Sequence, residues 1–185
     1  DKKDLIKPKK DKDVCAWVGP FVMAAINTKV VRRSNALANY PYGKDFLYSE
    51  TMLTGKGIKG RMGATSLMMT MGIASAMKPG SILKKIGDRF LPQPGEGPSK
   101  EQRENGFFNI LLLGKMEDGT IYKAKVTGDK DPGYGSTSKM LGEAAVSLAK
   151  DDLPETYGCL TPTVAMGDKF LERLKSKAGL TFEMT

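Results

Sequence analysis

Apolar residues recur along the first half of the chain at the spacing of helices. This spacing predicts a helix from Phe21 to about Leu37, which opens behind Gly19-Pro20 with the proline pre-set for the first turn. A methionine-rich apolar run over residues 64–77 predicts a second helix, and residues 81–91 predict a short amphipathic helix. These three segments are the predicted helices of the first half.

The second half of the chain combines strand and helix patterns. Residues 107–116 form an apolar run and residues 120–127 alternate in polarity, which predicts a hairpin around Glu117-Asp118-Gly119. A helix with an apolar stripe follows, then a helix that begins at Thr161 and Pro162, and then a closing strand, LTFEM. The sum predicts an α+β fold in which helices pack on an antiparallel or mixed sheet.

A glycine-rich loop follows a predicted strand over residues 46–53. Its residues Gly55, Gly57 and Gly60 match GxGxxG, the loop with which Rossmann folds bind dinucleotides. That site also needs an apolar parallel strand and an acidic residue about twenty positions on, whereas this strand is polar and the next acidic residue is Asp88. We therefore predict no cofactor site in this loop; a solvated basic loop, or an anion site at the helix start, remains.

Composition fits a globular chain and excludes several kinds of site. With 185 residues, 40% of them apolar, the chain can bury a sizeable core. Residues 1–18 are rich in lysine and predict a linker or loop before a domain over residues 19–185. The chain has no histidine and only two cysteines, Cys15 and Cys159, so it is expected to hold neither a metal site nor a Ser-His or Cys-His nucleophile.

Charge and hydropathy narrow the partners and the compartment. The net charge of +8 comes from lysines spread over every segment without interleaved aromatics, so we expect no nucleic-acid partner. Two cysteines, no signal peptide and no apolar run of membrane-spanning length predict a protein that is not secreted and is cytoplasmic or attached to a lipid surface. Residues 62–91, in which methionines precede the basic amphipathic helix, suit a lipid surface, a core or a subunit interface.

Three groups of motifs follow one another along the chain. They are PFVMA with VVRRS over residues 20–34, PGEGPS with EQR over residues 94–103, and GDKDPGY with LTP and AMG over residues 128–167. Together they resemble the carboxyl-terminal part of the saccharopine dehydrogenase-like oxidoreductases, a family that includes the trans-acting enoyl reductases of mycobacterial lipid synthesis. The resemblance covers most of residues 19–185 and lacks the amino-terminal glycine fingerprint of that family.

This resemblance implies the second domain of such an enzyme. In this family an amino-terminal Rossmann domain of the same protein binds NAD(P), and the second domain shapes the substrate site and the subunit contacts. The chain is then expected to be a homo-oligomeric substrate domain, inactive alone, of an oxidoreductase that transfers hydride to a carbonyl or enoyl group. The alternative is a non-catalytic module that docks on lipid surfaces or partner proteins through residues 62–91.

Few residues of this part of the chain suit the chemistry of a reductase. Tyr134 beside Asp131, in a turn at a helix start, fits a group that orients a carbonyl or alkene and donates a proton, or else a structural turn. Arg32 and Arg33 fit a clamp for an acidic substrate or a cofactor phosphate, or solvated arginines at a helix end. Thr161 is the third predicted substrate contact.

Overall fold

The computed structural model describes residues 4–77 and 95–185, and the chain divides into two compact units, residues 1–95 and residues 96–185. Each unit joins a three-stranded antiparallel sheet to helices, which confirms the predicted α+β class. The domain division predicted at residue 18 stays a prediction. The amphipathic helix predicted over residues 81–91 lies outside the described residues.

In the first unit, two helices accompany a sheet of order β1-β2-β3. The elements are β1 (Lys9–Asp11), β2 (Ala16–Gly19), α1 (Ala24–Leu37), β3 (Met52–Gly55) and α2 (Gly57–Ala76). Helix α2 packs on the sheet through Gly60 and Ala64, which are buried. A Cβ atom on Gly19 would lie 3.1 Å from the Cα atom of Ala64, so the glycine permits the close approach of α2 to β2.

Two segments of the first unit differ from their predictions. Strands β1 and β2 lie within residues 1–18 and at their end, where the lysine content predicts a linker. Ala16 and Val18 are buried in β2, while the lysines stand on β1, an edge strand where lysine is common because it blocks further pairing. The strand predicted over residues 46–53 is confined to Met52–Gly55, because side-chain hydrogen bonds hold the preceding residues instead.

The second unit carries most of the predicted elements in their predicted order. They are α3 (Lys100–Asn105), β4 (Phe108–Lys115), β5 (Ile121–Gly128), α4 (Gly135–Lys150), α5 (Pro162–Ser176) and β6 (Leu180–Met184). The strands pair antiparallel in the order β4-β5-β6. At the hairpin, Gly119 has a φ of 87° and the amide of Thr120 donates to Asp118 Oδ1 at 2.8 Å, so the predicted turn is confirmed.

Helix α5 begins where its proline predicts and is interrupted inside. Thr161 occupies the N-cap position and Pro162 the first turn, but the threonine side chain makes no capping hydrogen bond to the helix. Gly167 has a φ of 51° and a ψ of −140°, values outside the helical region, so the helix is kinked there. Gly179, with a φ of 75°, turns the chain from α5 into β6.

Candidate functional site

The loop before β4 and the turn after β5 pack against each other in the second unit. The amide of Asp131 donates to the carbonyl oxygen of Arg103 at 3.2 Å, and Lys130 Nζ donates to that of Glu104 at 3.2 Å. A Cβ atom on Gly106 would lie 2.6 Å from the Cα atom of Asp131. Two of the motif segments therefore form one structure, which we call the Asp131 corner (residues 97–106 and 128–139).

The carboxylate of Asp131 closes the start of helix α4. Its Oδ2 atom accepts hydrogen bonds from the amides of Tyr134 at 2.7 Å and Gly135 at 3.0 Å, and its Oδ1 atom accepts one from the amide of Gly133 at 3.2 Å. These bonds, the one from Gly135 foremost, lower the pKa of Asp131. The carboxylate is thus ionised at neutral pH and is the anion that this helix end favours. It is suited to positioning the turn rather than to donating a proton.

Tyr134 presents its side chain at the surface of the Asp131 corner. Its amide is held by Asp131, whereas its side chain is more than half exposed. A Cβ atom on Gly97 would lie 3.6 Å from Cε2 and Cζ of the ring and 3.8 Å from the phenol oxygen, so the ring lies beside the glycine-rich loop. The arrangement offers an exposed phenol that can donate a hydrogen bond to an incoming carbonyl oxygen.

Sequence reasoning missed the glycines that make this corner possible. A Cβ atom on Gly135 would lie 2.7 Å from the carbonyl oxygen of Arg103 and 2.9 Å from Cβ of Lys130. Gly106 is similarly close to Asp131. The signal in the sequence was the density of glycine on both sides of Asp131, which marks a place where two stretches of backbone approach closely.

The other predicted site residues lie elsewhere. Thr161 is buried at the start of α5, and its substrate role stays a prediction. Arg32 and Arg33 stand on α1 in the first unit, the former half-buried and the latter exposed, and both take part in interactions. Within the second unit, the structure brings Asp131 and Tyr134 together, as their spacing predicts.

The first unit contains a polar cluster that the sequence did not reveal. Asn27 Nδ2 donates to Glu50 Oε2 at 2.9 Å, and the Tyr48 hydroxyl donates to Glu50 Oε1 at 3.0 Å. Burial, and then the charge and hydrogen bond of Glu50, raise the pKa of Tyr48 to about 12. Tyr48 therefore stays protonated at neutral pH, and the cluster fastens the segment before β3 to α1.

The glycine loop after β3 does not fit a dinucleotide. Strand β3 pairs with β2 in antiparallel orientation, and residues 4–77 contain no parallel strand pair of the kind that positions a pyrophosphate at the helix start. Gly55 and Gly57 have φ angles of 104° and 63°, so the glycines serve the tight turn into α2. Among the cations of this loop, Arg61 lies over the Trp17 ring at 5.6 Å from its centroid.

Residues 4–77 and 95–185 hold neither a metal-binding cluster nor a membrane-spanning helix. No cluster of three or more potential metal-binding side chains is present in these ranges. Nor does any helix within them have the length and hydropathy needed to cross a membrane.

The chain is similar to curated mycobacterial proteins. It is 39% identical to the trans-acting enoyl reductase of Mycobacterium ulcerans and 37% identical to that of Mycobacterium tuberculosis, each over 165 residues that cover 85% of this chain and 39% of the relative. A further M. tuberculosis protein, whose name proposes the same activity, is 39% identical over 181 residues, or 91% of this chain and 41% of that protein.

These alignments cover most of this chain but only part of each relative. The chain spans about two fifths of the length of the curated relatives that it matches. No protein-family model and no solved structure matches it. Over most of its length, the chain is therefore a relative of the trans-acting enoyl reductases.

Proposed function

We propose that this chain is the substrate-binding and oligomerisation part of a saccharopine dehydrogenase-like, NAD(P)-dependent oxidoreductase that reduces enoyl or carbonyl groups. The observation that carries the proposal is the 39% identity to a trans-acting enoyl reductase over 85% of the chain. The glycine loop lacks the setting of a dinucleotide site. The hydride-donating nicotinamide is therefore expected to bind in a part of the enzyme outside the segment that aligns with this chain. The chain by itself is expected to be inactive.

The chemical contribution of this part would come from the Asp131 corner. Reduction of an enoyl or carbonyl group needs a donor that orients the oxygen and a source of the proton. Tyr134 supplies an exposed phenol on a backbone that Asp131 holds in place, and Asp131 acts as its positioning residue. Arg32, Arg33 and Thr161 are proposed substrate contacts.

An exposed apolar stripe on α2 supports an apolar substrate. Its residues share one side of the helix at positions i, i+4, i+11 and i+15, and each is more than half exposed: Ile58, Met62, Met69 and Ile73. At a rise of 1.5 Å per residue, the stripe is roughly 22 Å long. An extended acyl chain matches such a surface, and methionine adapts to flexible apolar partners.

The same stripe favours a second candidate function, a non-catalytic module that docks on lipid surfaces or partner proteins. Vesicles of anionic lipid discriminate the two. A lipid-docking module would co-sediment with them, and would lose binding when Met62 and Met69 are replaced by serine. An enzyme part that uses the stripe for an acyl chain is expected to stay in the supernatant.

An exchange of segments tests the proposed function directly. The segment of the M. ulcerans relative that aligns with this chain would be replaced by this chain, and NADPH oxidation would be measured with an enoyl thioester. We expect the chimera to be active, as would a control chimera that carries the M. tuberculosis segment. An inactive chimera beside an active control would contradict the proposal.

The isolated chain provides the complementary test. We expect no binding of NADPH in a fluorescence titration, because the glycine loop does not form a dinucleotide site. If NADPH binds the isolated chain, the proposal that the cofactor binds elsewhere is wrong, and Gly55–Gly60 becomes the candidate cofactor site.

A further inference from the structure

The sheet of the second unit has two faces of unlike polarity. Even-numbered residues of β4, β5 and β6 share one face, since Leu112 pairs with Ala124 and Ala124 with Met184. Every residue on this even face is aliphatic, aromatic, methionine or glycine. The odd face carries the charged residues Lys115, Lys123, Lys125 and Glu183 beside leucine and isoleucine. Such asymmetry is typical of a sheet with one face in water and one face covered.

Only one end of the even face is covered. Leu180, at the end nearest α5, is buried, and Lys175 of α5 places its ammonium 5.7 Å from the centre of the Phe182 ring. In the middle of the face Ile110 is about half exposed, and at the other end Tyr122 and Met184 are more than half exposed. Within residues 96–185, part of this apolar surface is therefore left open.

At the open end, small residues lie beside large ones. Ala124 is small and lies between Leu112 and Met184 on the neighbouring strands. Gly114 lies opposite Tyr122, and a Cβ atom added to it would meet nothing closer than 3.9 Å. The same face thus carries both a highly exposed side chain, Met184, and small residues beside which a side chain of another molecule can pack.

We propose that a second copy of this chain packs on the open end of the even face, sheet against sheet. This surface would serve the self-association that is part of the proposed function, so the inference rests on that function. The even face bears no charge, so two copies can meet there without repulsion or a buried unpaired charge. An anionic lipid surface or a charged protein would need complementary charges, which this face does not carry. On the odd face, by contrast, Lys115, Lys123, Lys125 and Glu183 would have to lose their water when two copies meet.

The size of the open end limits the area that two copies can bury. Its large side chains expose roughly 500 Å² of apolar surface, within the range of patches that mark interaction sites. Two copies would bury roughly 1,000 Å², which is at the lower end of specific interfaces. We therefore expect a dimer that dissociates in the micromolar range rather than a permanent one.

Sedimentation velocity of the 185-residue chain across the micromolar range tests the surface. Leu112→Lys, on the even face, is expected to weaken the dimer roughly tenfold or more, because it buries an unpaired charge. Leu111→Lys is the matched control: it is the next residue of the same strand, on the odd face, with 44% exposure against 36% for Leu112. It is expected to leave the dimer unchanged, as is Met69→Lys on α2.

A second even-face variant separates loss of the contact from loss of the fold. Met184→Lys changes a highly exposed side chain, so it should keep the fold and still weaken the dimer. A monomer at all concentrations would overturn the proposal, as would a dimer weakened equally by Leu111→Lys or by Met69→Lys. Binding to neutral lipid vesicles that depends on Leu112 would assign the face to lipid and overturn it too. A dimer that survives Leu112→Lys overturns only the surface, because the segment exchange decides the proposed function independently.

Discussion

Arg173 holds both carboxylate oxygens of Asp151, with Nε and Nη2 each 2.6 Å from one of them. Its remaining nitrogen, Nη1, donates to Glu143 Oε2 at 3.1 Å. The guanidinium thus joins α5 to Glu143 of α4 and to Asp151 at its C-cap, the latter in the paired geometry that carboxylates accept best from arginine. Since α5 also leads into β6, this contact fixes the two helices beside the sheet.

This ion pair predicts acid-sensitive stability. The hydrogen bonds from Arg173 lower the pKa of Asp151 to about 2. A carboxyl group with a lowered folded-state pKa stabilises the fold above its unfolded pKa, about 4, and this contribution is lost as the pH falls toward 2. We expect the free energy of unfolding, measured with urea, to decrease as the pH is lowered from about 4 to about 2, and Arg173→Met to remove the part of this decrease that is due to Asp151. Lys100→Met, in an exposed pair with Glu104, is the control and should leave the acid limb unchanged. An acid limb equal in wild type and Arg173→Met would contradict the assignment.

Replacement of glycine by alanine is expected to have opposite effects on stability at Gly106 and at Gly142. In Gly106→Ala the new Cβ atom would meet the backbone of Asp131 at 2.6 Å, and backbone cannot rotate away. We expect a loss of about 1–3 kcal/mol in the free energy of unfolding. Gly142→Ala is the control, because this glycine lies inside α4 with open space around it, and alanine there should stabilise the helix by about 0.5–1 kcal/mol. Equal effects of the two substitutions would mean that the backbone around Asp131 can shift to accommodate the new Cβ atom.

Tyr48 is expected to titrate at a higher pH than an ordinary tyrosine. Its raised pKa means that the folded state holds the phenol proton more tightly than the unfolded state, whose pKa is about 10. Its contribution to stability is therefore present below pH 10 and is lost as the pH rises toward 12. The tyrosinate absorbance of wild type minus that of Tyr48→Phe should have its midpoint near 12, and Glu50→Gln should lower that midpoint. A midpoint near 10 would show that in solution Tyr48 is neither buried nor paired with Glu50.

Local patterns predicted the second unit well because its elements are specified locally. Glu117-Asp118-Gly119 contains both the carboxylate that accepts from Thr120 and the glycine that the turn needs. Pro162 marks the start of α5, and the alternation over residues 120–127 assigns each residue to one face of β5. Such signals lie in residues that are close together in the sequence, so they can be recognised from a single sequence.

Other features depend on residues far apart in sequence and could not be read in this way. Strand β2 forms because β3, more than thirty residues later, pairs with it, although lysines surround its partner β1. Glu50 meets Asn27 across 23 positions. In the candidate site, the pairing of Asp131 with Tyr134 was predictable from adjacency. The close approach of Gly106 was not, because it requires the hairpin to bring two loops together.

Substitution of Tyr134 tests the candidate site in the active chimera. If its phenol orients the reacting oxygen or supplies the proton, Tyr134→Phe should lower kcat by roughly 10²- to 10⁴-fold, the usual contribution of a general acid. The fold should be unaffected, since the hydroxyl lies at the surface and Asp131 holds only the backbone amide. Tyr157→Phe removes a phenol of even greater exposure in the same unit and should leave kcat unchanged. If both variants retain full activity, Tyr134 belongs to a structural turn and the proton comes from another group.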